Sequence, residues 1–188
     1  LPTLLILFSL SLFSQSLVVS SPDGNLKVEV QIENGISWQV HFKGKSDILN
    51  ANVGLEFGGK DVFGKKPEID SYTVKENRET ITATIPVKSA RIEDYCTELV
   101  VVFKDDNRLI FRAYDDGVAY RYVTAADGVV EVSSERLEID FPHGSHCWFA
   151  PERSILSHYE QHYTYTRIDT IAAGKFHAMP LLVNTPED

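Results

Sequence analysis

Alternation of apolar and polar residues, interrupted by short turn sequences, constrains the fold of this chain more than any other feature. The pattern is clearest in residues 111–122, where two alternating runs flank Asp115, Asp116 and Gly117. An Asp-Gly pair between alternating runs is typical of a β-hairpin, because the tight turn uses positive φ angles that glycine adopts at no steric cost. These residues therefore predict a strand, a turn through Gly117 and a second strand.

Similar patterns recur along most of the chain. Residues 25–33 and 36–42 alternate on either side of Asn34 and Gly35, which predicts another hairpin. Further strands are predicted at residues 53–57, 71–76, 80–86, 98–104, 131–132, 136–141 and 159–165. The glycine-rich residues 58–67 predict a loop. Regular short strands without a convincing amphipathic helix predict an all-β fold, an antiparallel β-sandwich, and not a parallel α/β sheet.

The composition limits the classes of protein to which the chain can belong. Its 188 residues are 43% hydrophobic and 24% charged, which suits one folded domain with a hydrophobic core and excludes a disordered chain. The net charge of −9 argues against a nucleic-acid partner, because phosphates are bound by clustered Lys and Arg. The chain also lacks a basic amphipathic helix of the kind that binds membrane surfaces.

The first residues are typical of a leader. Residues 4–13 form an apolar run that ends in small and polar residues, as at the exit of a secretory signal peptide. The run is shorter than the about 20 apolar residues that a membrane span needs. We predict that residues 1–20 are a signal peptide whose basic start is missing from the sequence, with cleavage near Ser16 or Ser20. The folded domain is then predicted to occupy residues 21–188.

Two cysteines, Cys96 and Cys147, leave two interpretations open. A secreted chain can oxidise them to a disulfide. Alternatively, they are buried free thiols that pack like small hydrophobic residues. Spacing alone does not establish the geometry that a disulfide requires, and we favour the free thiols.

Three potential metal ligands occur at alternate positions, namely His158, Glu160 and His162. On a strand they would project from one face, and the tyrosines of the same segment from the other. Such a set can bind zinc, but paired ligands on one strand usually need a further element to close a site. We favour the alternative, a solvated polar face opposite a buried tyrosine stripe.

Adjacent acidic residues elsewhere have a simpler interpretation. Asp115 and Asp116 are neighbours in a predicted turn, so their carboxylates point apart and do not form the spaced acid pair of a glycosidase. Residues 105–107 also predict a turn. They do not predict a calcium loop, because the glycine and the distal glutamate of such a loop are missing. Arg112 and Arg121 are predicted to pair with carboxylates across the hairpin.

The segment at residues 111–122 resembles the FR-x-YDDG-x-A-[FY]-RY signature of the N-terminal domain of glycoside hydrolase family 97. Residues 21–26 are similar to the SPDG-x-L opening of that family. Weaker similarities follow in the family's order at residues 52–55, 95–99, 148, 159–163 and 179–181. The first two of these weaker segments each depart from the family pattern at two positions. The resemblance spans residues 18–185.

This resemblance implies that the chain is one part of an enzyme. The family's N-terminal domain is a β-supersandwich similar to galactose mutarotase, and it packs on a (β/α)8 barrel that carries the catalytic carboxylates. The enzymes are secreted or periplasmic exo-α-glucosidases or exo-α-galactosidases, typical of Bacteroidetes, which act on oligo- or polysaccharides. The barrel supplies most ligands of a calcium ion (Ca2+), and the N-terminal domain adds a glutamate downstream of the segment that matches residues 180–188. The resemblance thus assigns no catalytic residue and no metal ligand to this chain, which we expect to be inactive alone.

Trp148, Tyr159 and Glu160 are the candidate substrate-binding residues, because aromatic faces stack on sugar C–H groups and polar edges bind hydroxyls. Ordinary core or interdomain packing is the alternative role for these side chains. Two further functions remain open for the chain, a stand-alone carbohydrate-binding sandwich and a small mutarotase-like epimerase with a glutamate base and histidine acids in one cleft. At 188 residues, the chain is short for the complete supersandwich fold of such an epimerase.

Overall fold

The computed structural model of the protein describes residues 15–58, 60–61, 63, 67–86, 88–154 and 156–186. The first ten strands in chain order are β1 (Gln15–Ser20), β2 (Leu26–Ile32), β3 (Ile36–Phe42), β4 (Lys45–Phe57), β5 (Lys60–Asp61), β6 (Ile69–Thr82), β7 (Arg91–Phe103), β8 (Arg108–Tyr114), β9 (Gly117–Val123) and β10 (Val132–Asp140). The remaining strands are β11 (His146–Phe149), β12 (Pro151–Glu152), β13 (Thr164–Arg167), β14 (Phe176–His177) and β15 (Leu182–Asn184).

Two antiparallel sheets form the body of the domain. The first has the strand order β1-β2-β3-β4-β10, with β5 paired to β4, and the second has the order β6-β7-β8-β9. The later strands form a small sheet in the order β13-β11-β15 and a separate pair, β12-β14. In the described residues, helical structure is limited to the 3-10 turn at Ile168–Thr170, and no helix has the length and hydrophobicity needed to cross a bilayer.

The inner faces of the two large sheets enclose one hydrophobic core. Alternate residues of β2 and β3 are buried, and Val30 lies opposite Trp38 in the antiparallel register. The second sheet contributes Leu99, Val101 and Phe111, which are fully buried. Alternation gives each sheet one apolar face, and face-to-face packing of the two sheets removes both of these faces from water. The predicted all-β antiparallel sandwich is confirmed.

The predicted loop at residues 58–67 also supplies part of the core. Lys60–Asp61 form β5 beside β4. Phe63 is fully buried, and its ring lies 5.7 Å from that of Phe103 and 4.7 Å from that of Tyr122. A single buried aromatic residue in a glycine-rich segment has no periodicity, so the sequence pattern did not identify it.

The predicted hairpin around Asp115 forms, but its turn differs from the prediction. The loop consists of Asp115 and Asp116, because Gly117 already pairs with Tyr114 as the first residue of β9. Gly117 does not have a positive φ, so the predicted turn through this glycine is wrong. The Asp115 carboxylate accepts a 3.0 Å hydrogen bond from the backbone N–H of Asp23, which ties the hairpin to the turn before β2.

Two other groups of strand predictions need correction. The strands predicted at residues 71–76 and 80–86 belong largely to one long strand, β6, which pairs with β7. The strand predicted at residues 159–165 is mostly wrong, because β13 begins only at Thr164. Tyr159 has a φ of 56°, and a residue in the left-handed region interrupts an extended chain.

The folded domain begins earlier than the sequence predicts. Gln15–Ser20 form β1, which pairs with β2 along its length, and Leu17 and Val19 are buried in the core. β1 thus lies within the predicted leader of residues 1–20, and cleavage near Ser20 would remove this strand from its sheet. Residues 1–14 lie outside the described residues, so the signal peptide itself stays a prediction.

Truncation of a core residue of β1 tests this boundary. Leu17 is 4% exposed, so Leu17→Ala should lower the free energy of unfolding by about 2–5 kcal/mol through lost burial and a residual cavity. Val18 is 43% exposed on the same strand, and Val18→Ala should change stability by less than about 0.5 kcal/mol. Urea denaturation followed by circular dichroism measures both variants. Equal effects would contradict the placement of β1 in the fold.

Candidate functional site

The small sheet exposes three large apolar side chains on its outer face. β11 lies between β13 and β15, and the register places Trp148 directly between Tyr165 and Leu182. Side chains directly opposite one another in neighbouring strands project from the same face of a sheet. Trp148 is 43% exposed and Leu182 is 64% exposed. We call Trp148, Tyr165 and Leu182 the aromatic face.

Neighbours in the same sheet hold the rings of the aromatic face in position. Tyr165 stacks on His146 with ring centroids 4.9 Å apart and an interplanar angle of 12°. Trp148 lies 5.2 Å from Tyr165, and the two rings are tilted by 47°. Asn184 donates a hydrogen bond of 3.1 Å from Nδ2 to the Tyr165 hydroxyl. The exposed side chains are therefore ordered by contacts within the sheet.

The inner face of the small sheet is anchored by buried side chains. Cys147 is fully buried there, and Phe149 stacks on His177 at a centroid distance of 5.3 Å. Cys147 and Cys96 lie in different sheets as free thiols. Burial raises the pKa of both thiols, which makes them unreactive packing residues.

A cavity of about 290 Å³ lies beside the strand pair β12-β14. Its lining consists of Glu152, Ser154, Tyr159, Phe176, His177 and Met179. Glu152 lies opposite Phe176 in the register and is 9% exposed. Its Oε1 atom has no hydrogen-bond partner in the described part of the chain. Because an unpartnered buried polar atom is costly, this carboxylate marks the cavity as the candidate binding site.

His177 forms one wall of the cavity and is held by several contacts. Its Nδ1 atom accepts a 2.8 Å hydrogen bond from the backbone N–H of Ala150, and Nε2 lies 3.4 Å from the carbonyl of Pro180. With Nδ1 as the acceptor, the neutral ring carries its proton on Nε2, directed at that carbonyl. The ring also meets Tyr163 edge-on at 6.0 Å. Both ring nitrogens are thus used in positioning the wall.

The structure separates the three substrate-binding residues predicted from the sequence. Trp148 belongs to the aromatic face, and Tyr159 lines the cavity. Glu160 is exposed in the irregular segment between β12 and β13 and does not line that cavity. Sequence reasoning missed Glu152 and His177, because each lies on a strand of two residues, too short to show any periodicity.

The zinc interpretation loses its structural basis. His158, Glu160 and His162 lie in an irregular segment, so alternate residues need not share a face. In the described residues, no group of three or more His, Cys, Asp or Glu side chains is arranged to hold a metal ion. Tyr159 and Tyr163 are about half exposed, so the alternative of a buried tyrosine stripe is also wrong.

Comparison with known protein families identifies the family of this chain. Residues 19–188 match the family model described as Glycosyl-hydrolase 97 N-terminal. The chain belongs to this family. The match includes β2 to β15, and with them the aromatic face and the cavity, whereas most of β1 precedes it.

Similar proteins are longer than this chain. The retaining alpha-galactosidase of Bacteroides thetaiotaomicron is 27% identical over 140 residues, which are 74% of this chain and 21% of that protein. The solved structure of a family 97 glycoside hydrolase from Pseudoalteromonas sp. strain K8 in complex with panose has a TM-score of 0.74 and 24% identity. The match covers 90% of this chain and 27% of that enzyme's chain. The structure of a beta-arabinopyranosidase has a TM-score of 0.69 and 23% identity, and the match covers 80% of this chain and 26% of that enzyme's chain. The chain therefore spans about a fifth to about a quarter of these relatives.

In this family 97 domain, the signature segment at residues 111–122 holds a buried polar cluster. Arg112 donates from Nε to Glu98 at 2.8 Å and from a terminal nitrogen to Asp94 at 2.9 Å. The Tyr114 hydroxyl donates a 2.8 Å hydrogen bond to the other oxygen of Asp94. We call Asp94, Glu98, Arg112 and Tyr114 the Arg112 cluster.

The Arg112 cluster joins β7 to β8. Arg112 pairs with carboxylates, as predicted, but they lie on β7 and not across the β8–β9 hairpin, and Arg121 forms no ion pair with the described residues. Arg121 is exposed on β9, whereas Arg112 faces the two carboxylates of β7. Interactions with Tyr114 and Glu98 raise the pKa of Arg112, and burial, with the hydrogen bond to Asp94, raises the pKa of Tyr114. Because Arg112 stays charged and Tyr114 stays neutral, the cluster is suited to holding two strands together and not to proton transfer.

Proposed function

We propose that this chain is the non-catalytic N-terminal domain of a secreted exo-α-glycosidase, either an α-glucosidase or an α-galactosidase. In this proposal the domain packs on a (β/α)8 barrel of the same polypeptide, and the barrel carries the catalytic acid and base. Two findings support the proposal, the family match and the small share of each relative that the chain spans, 27% in one solved structure.

The aromatic face is the observation that carries the docking role. Contiguous exposed apolar side chains are uncommon on soluble monomers and often mark a surface that receives another protein or domain. Trp and Tyr are enriched in such interfaces, because they bury a large apolar area and keep a polar edge. The buried inner face of the same sheet holds this surface rigid, which suits a docking scaffold.

The proposal also gives the domain a part in the sugar pocket. Trp148, Tyr159 and Glu160 are assigned to the wall of that pocket, where fixed groups around an oxocarbenium-like transition state require no reorganisation. A calcium ion is proposed for the complete enzyme. The described residues contain no cluster that fits this ion, so we assign it no ligand in this chain and derive no step through it.

Secretion to the periplasm or the medium of a Bacteroidetes-like bacterium completes the proposal. A leader within residues 1–20 would direct export, with cleavage at or before Ser16 so that the core residues of β1 are kept. N-terminal sequencing of the exported protein measures this directly. A mature N-terminus at Leu1, or one beyond Leu17, would contradict it.

A stand-alone carbohydrate-binding module is the second candidate. Such modules present exposed, nearly coplanar aromatic rings to a glycan chain. The rings of Trp148 and Tyr165 are tilted by 47°, which favours a contoured interface over a flat sugar platform. This candidate predicts retention of the isolated chain on polysaccharide.

Three measurements separate these functions. We expect the 188-residue chain to show no turnover of nitrophenyl α-glucoside or α-galactoside and no retardation in affinity electrophoresis on starch or galactan. Sequencing of the genomic DNA beyond the last codon should reveal an open frame that encodes a barrel. Turnover would overturn the non-catalytic role, whereas retardation combined with a stop codon would favour the stand-alone module.

A further inference from the structure

The carboxylate of Glu152 is a binding group that the proposed docking role does not use. The side chain is 9% exposed, and Oε1 lacks a hydrogen-bond partner among the described residues while the residue lines the 290 Å³ cavity. A carboxylate accepts hydrogen bonds and donates none when it is ionised. An occupant of the cavity that brings a donor would bind this carboxylate, and a cationic donor gives the strongest bond.

Two other polar groups of the lining, on Ser154 and His177, are already engaged. The Ser154 hydroxyl donates to the carbonyl of Leu156 at 2.8 Å and accepts from its N–H at 3.2 Å. His177 uses Nδ1 on the Ala150 N–H, and its Nε2 faces a carbonyl. A sugar ring brings several hydroxyls, each of which needs its own partner on burial, and most of them would find none here. The polar groups thus favour an occupant with one cationic head over a polyol.

The remaining walls suit a flat cation. Tyr159 and Phe176 present aromatic rings, and Met179 contributes a polarisable thioether. A guanidinium group stacks on aromatic faces, forms paired hydrogen bonds with a carboxylate and is less strongly hydrated than an ammonium group. The chemistry of the lining therefore matches an arginine side chain better than a lysine.

We infer that this cavity binds the guanidinium group of an arginine side chain, carried by the part of the family 97 polypeptide that lies outside the span of this chain. The source of the arginine rests on the proposed function, whereas the site itself rests on Glu152 and its neighbours. Insertion of the side chain would add a specific charged contact to the apolar contacts of the aromatic face and so set the register of docking.

A pair of small probes tests the site in the chain itself. N-acetyl-arginine methylamide carries the charged head, and N-acetyl-citrulline methylamide is its neutral isostere. In titrations of the isotope-labelled 188-residue chain followed by NMR, we expect the arginine probe to shift backbone amide signals of β12 and β14 saturably, with a Kd of about 1–10 mM. The citrulline probe should bind at least about tenfold more weakly, because it lacks the charge.

Substitutions at two glutamates complete the test. Glu152→Gln should weaken binding of the arginine probe at least about tenfold, and Glu138→Gln, on an exposed residue of β10 outside the cavity, should leave it unchanged. Equal binding of both probes, or binding that persists in Glu152→Gln, would overturn the site. Saturable shifts with methyl α-glucoside that disappear in Glu152→Gln would also overturn it, in favour of a sugar subsite.

The two proposals can fail separately. Probe binding together with a stop codon directly after Asp188 would support the site and overturn both the docking role and the assigned source of the arginine. An open frame that encodes a barrel, without any binding of the arginine probe, would overturn the site alone. A dimer that dissociates when Glu152 is replaced would assign the arginine to a second copy and overturn the proposed source.

Discussion

Replacing Arg112 with methionine should lower the free energy of unfolding by about 3 kcal/mol, near the lower end of the range for breaking a buried ion pair. The side chains of Asp94 and Glu98 are 7% and 8% exposed, and Arg112 is the cation that they share. Lys75 lies 3.5 Å from Glu98 on the solvent side, and Tyr114 donates a hydrogen bond to Asp94, so each carboxylate keeps one weaker partner when Arg112 is removed. Without it, two carboxylates remain next to each other in a poorly solvated position. The loss stays near the lower end because Arg112 is 27% exposed and water can partly replace it. Chemical denaturation at neutral pH measures the effect.

Arg121→Met is the matched control for this experiment. Arg121 occupies the neighbouring strand of the same hairpin, but it is exposed, so its replacement should change stability by less than about 0.5 kcal/mol. Adding Glu98→Gln to Arg112→Met should restore part of the loss, because one of the two adjacent, poorly solvated charges is then removed. A deficit of Arg112→Met no larger than that of Arg121→Met would show that the cluster contributes nothing to stability.

The large sheets could be predicted because burial repeats along them with a period of two residues. Leu26 and Val28 on β2, and Phe111 and Ala113 on β8, are inward-facing residues of long strands, so alternation identifies them. Alternation together with turn residues also predicts the positions of the hairpin turns to within one residue. It failed for Phe63, which enters the core from a loop, and at Gly117, where the strand resumes one residue earlier than the turn chemistry suggests.

The candidate site was predicted less well, because tertiary packing builds it from short pieces. Trp148 was named from its residue type, and its exposed position on the small sheet agrees with a surface role. The left-handed φ of Tyr159 and the partnerless Oε1 of Glu152 arise only when strands of two residues pair. Neither hydrophobic periodicity nor ligand spacing encodes these features. The sequence pattern therefore indicates Glu160 as a binding residue and gives no signal for Glu152.

Truncation of Phe111 should have the largest effect of any single change proposed for this domain. Phe111 is fully buried, and its ring lies 5.8 Å from Trp38 and 5.9 Å from Tyr120 in the centre of the sandwich. Phe111→Ala removes a whole ring between the two sheets, and a core of this kind collapses only partly, so a loss of about 3–5 kcal/mol is expected. Such a loss is a large fraction of the stability of a typical domain.

Trp38 supplies a local reporter of this change. Trp38 and Trp148 are the two tryptophans of the chain, so a Trp148→Phe background leaves the fluorescence of the buried Trp38 alone. In that background Phe111→Ala should lower the denaturation midpoint and alter the native emission, since the ring that packs edge-on against Trp38 is missing. Phe176→Ala, a substitution of the same type at a half-exposed position, should change the midpoint little and the emission not at all. Equal midpoints for the two variants would mean that Phe111 does not pack between the sheets, and the sandwich core would have to be redrawn around other residues.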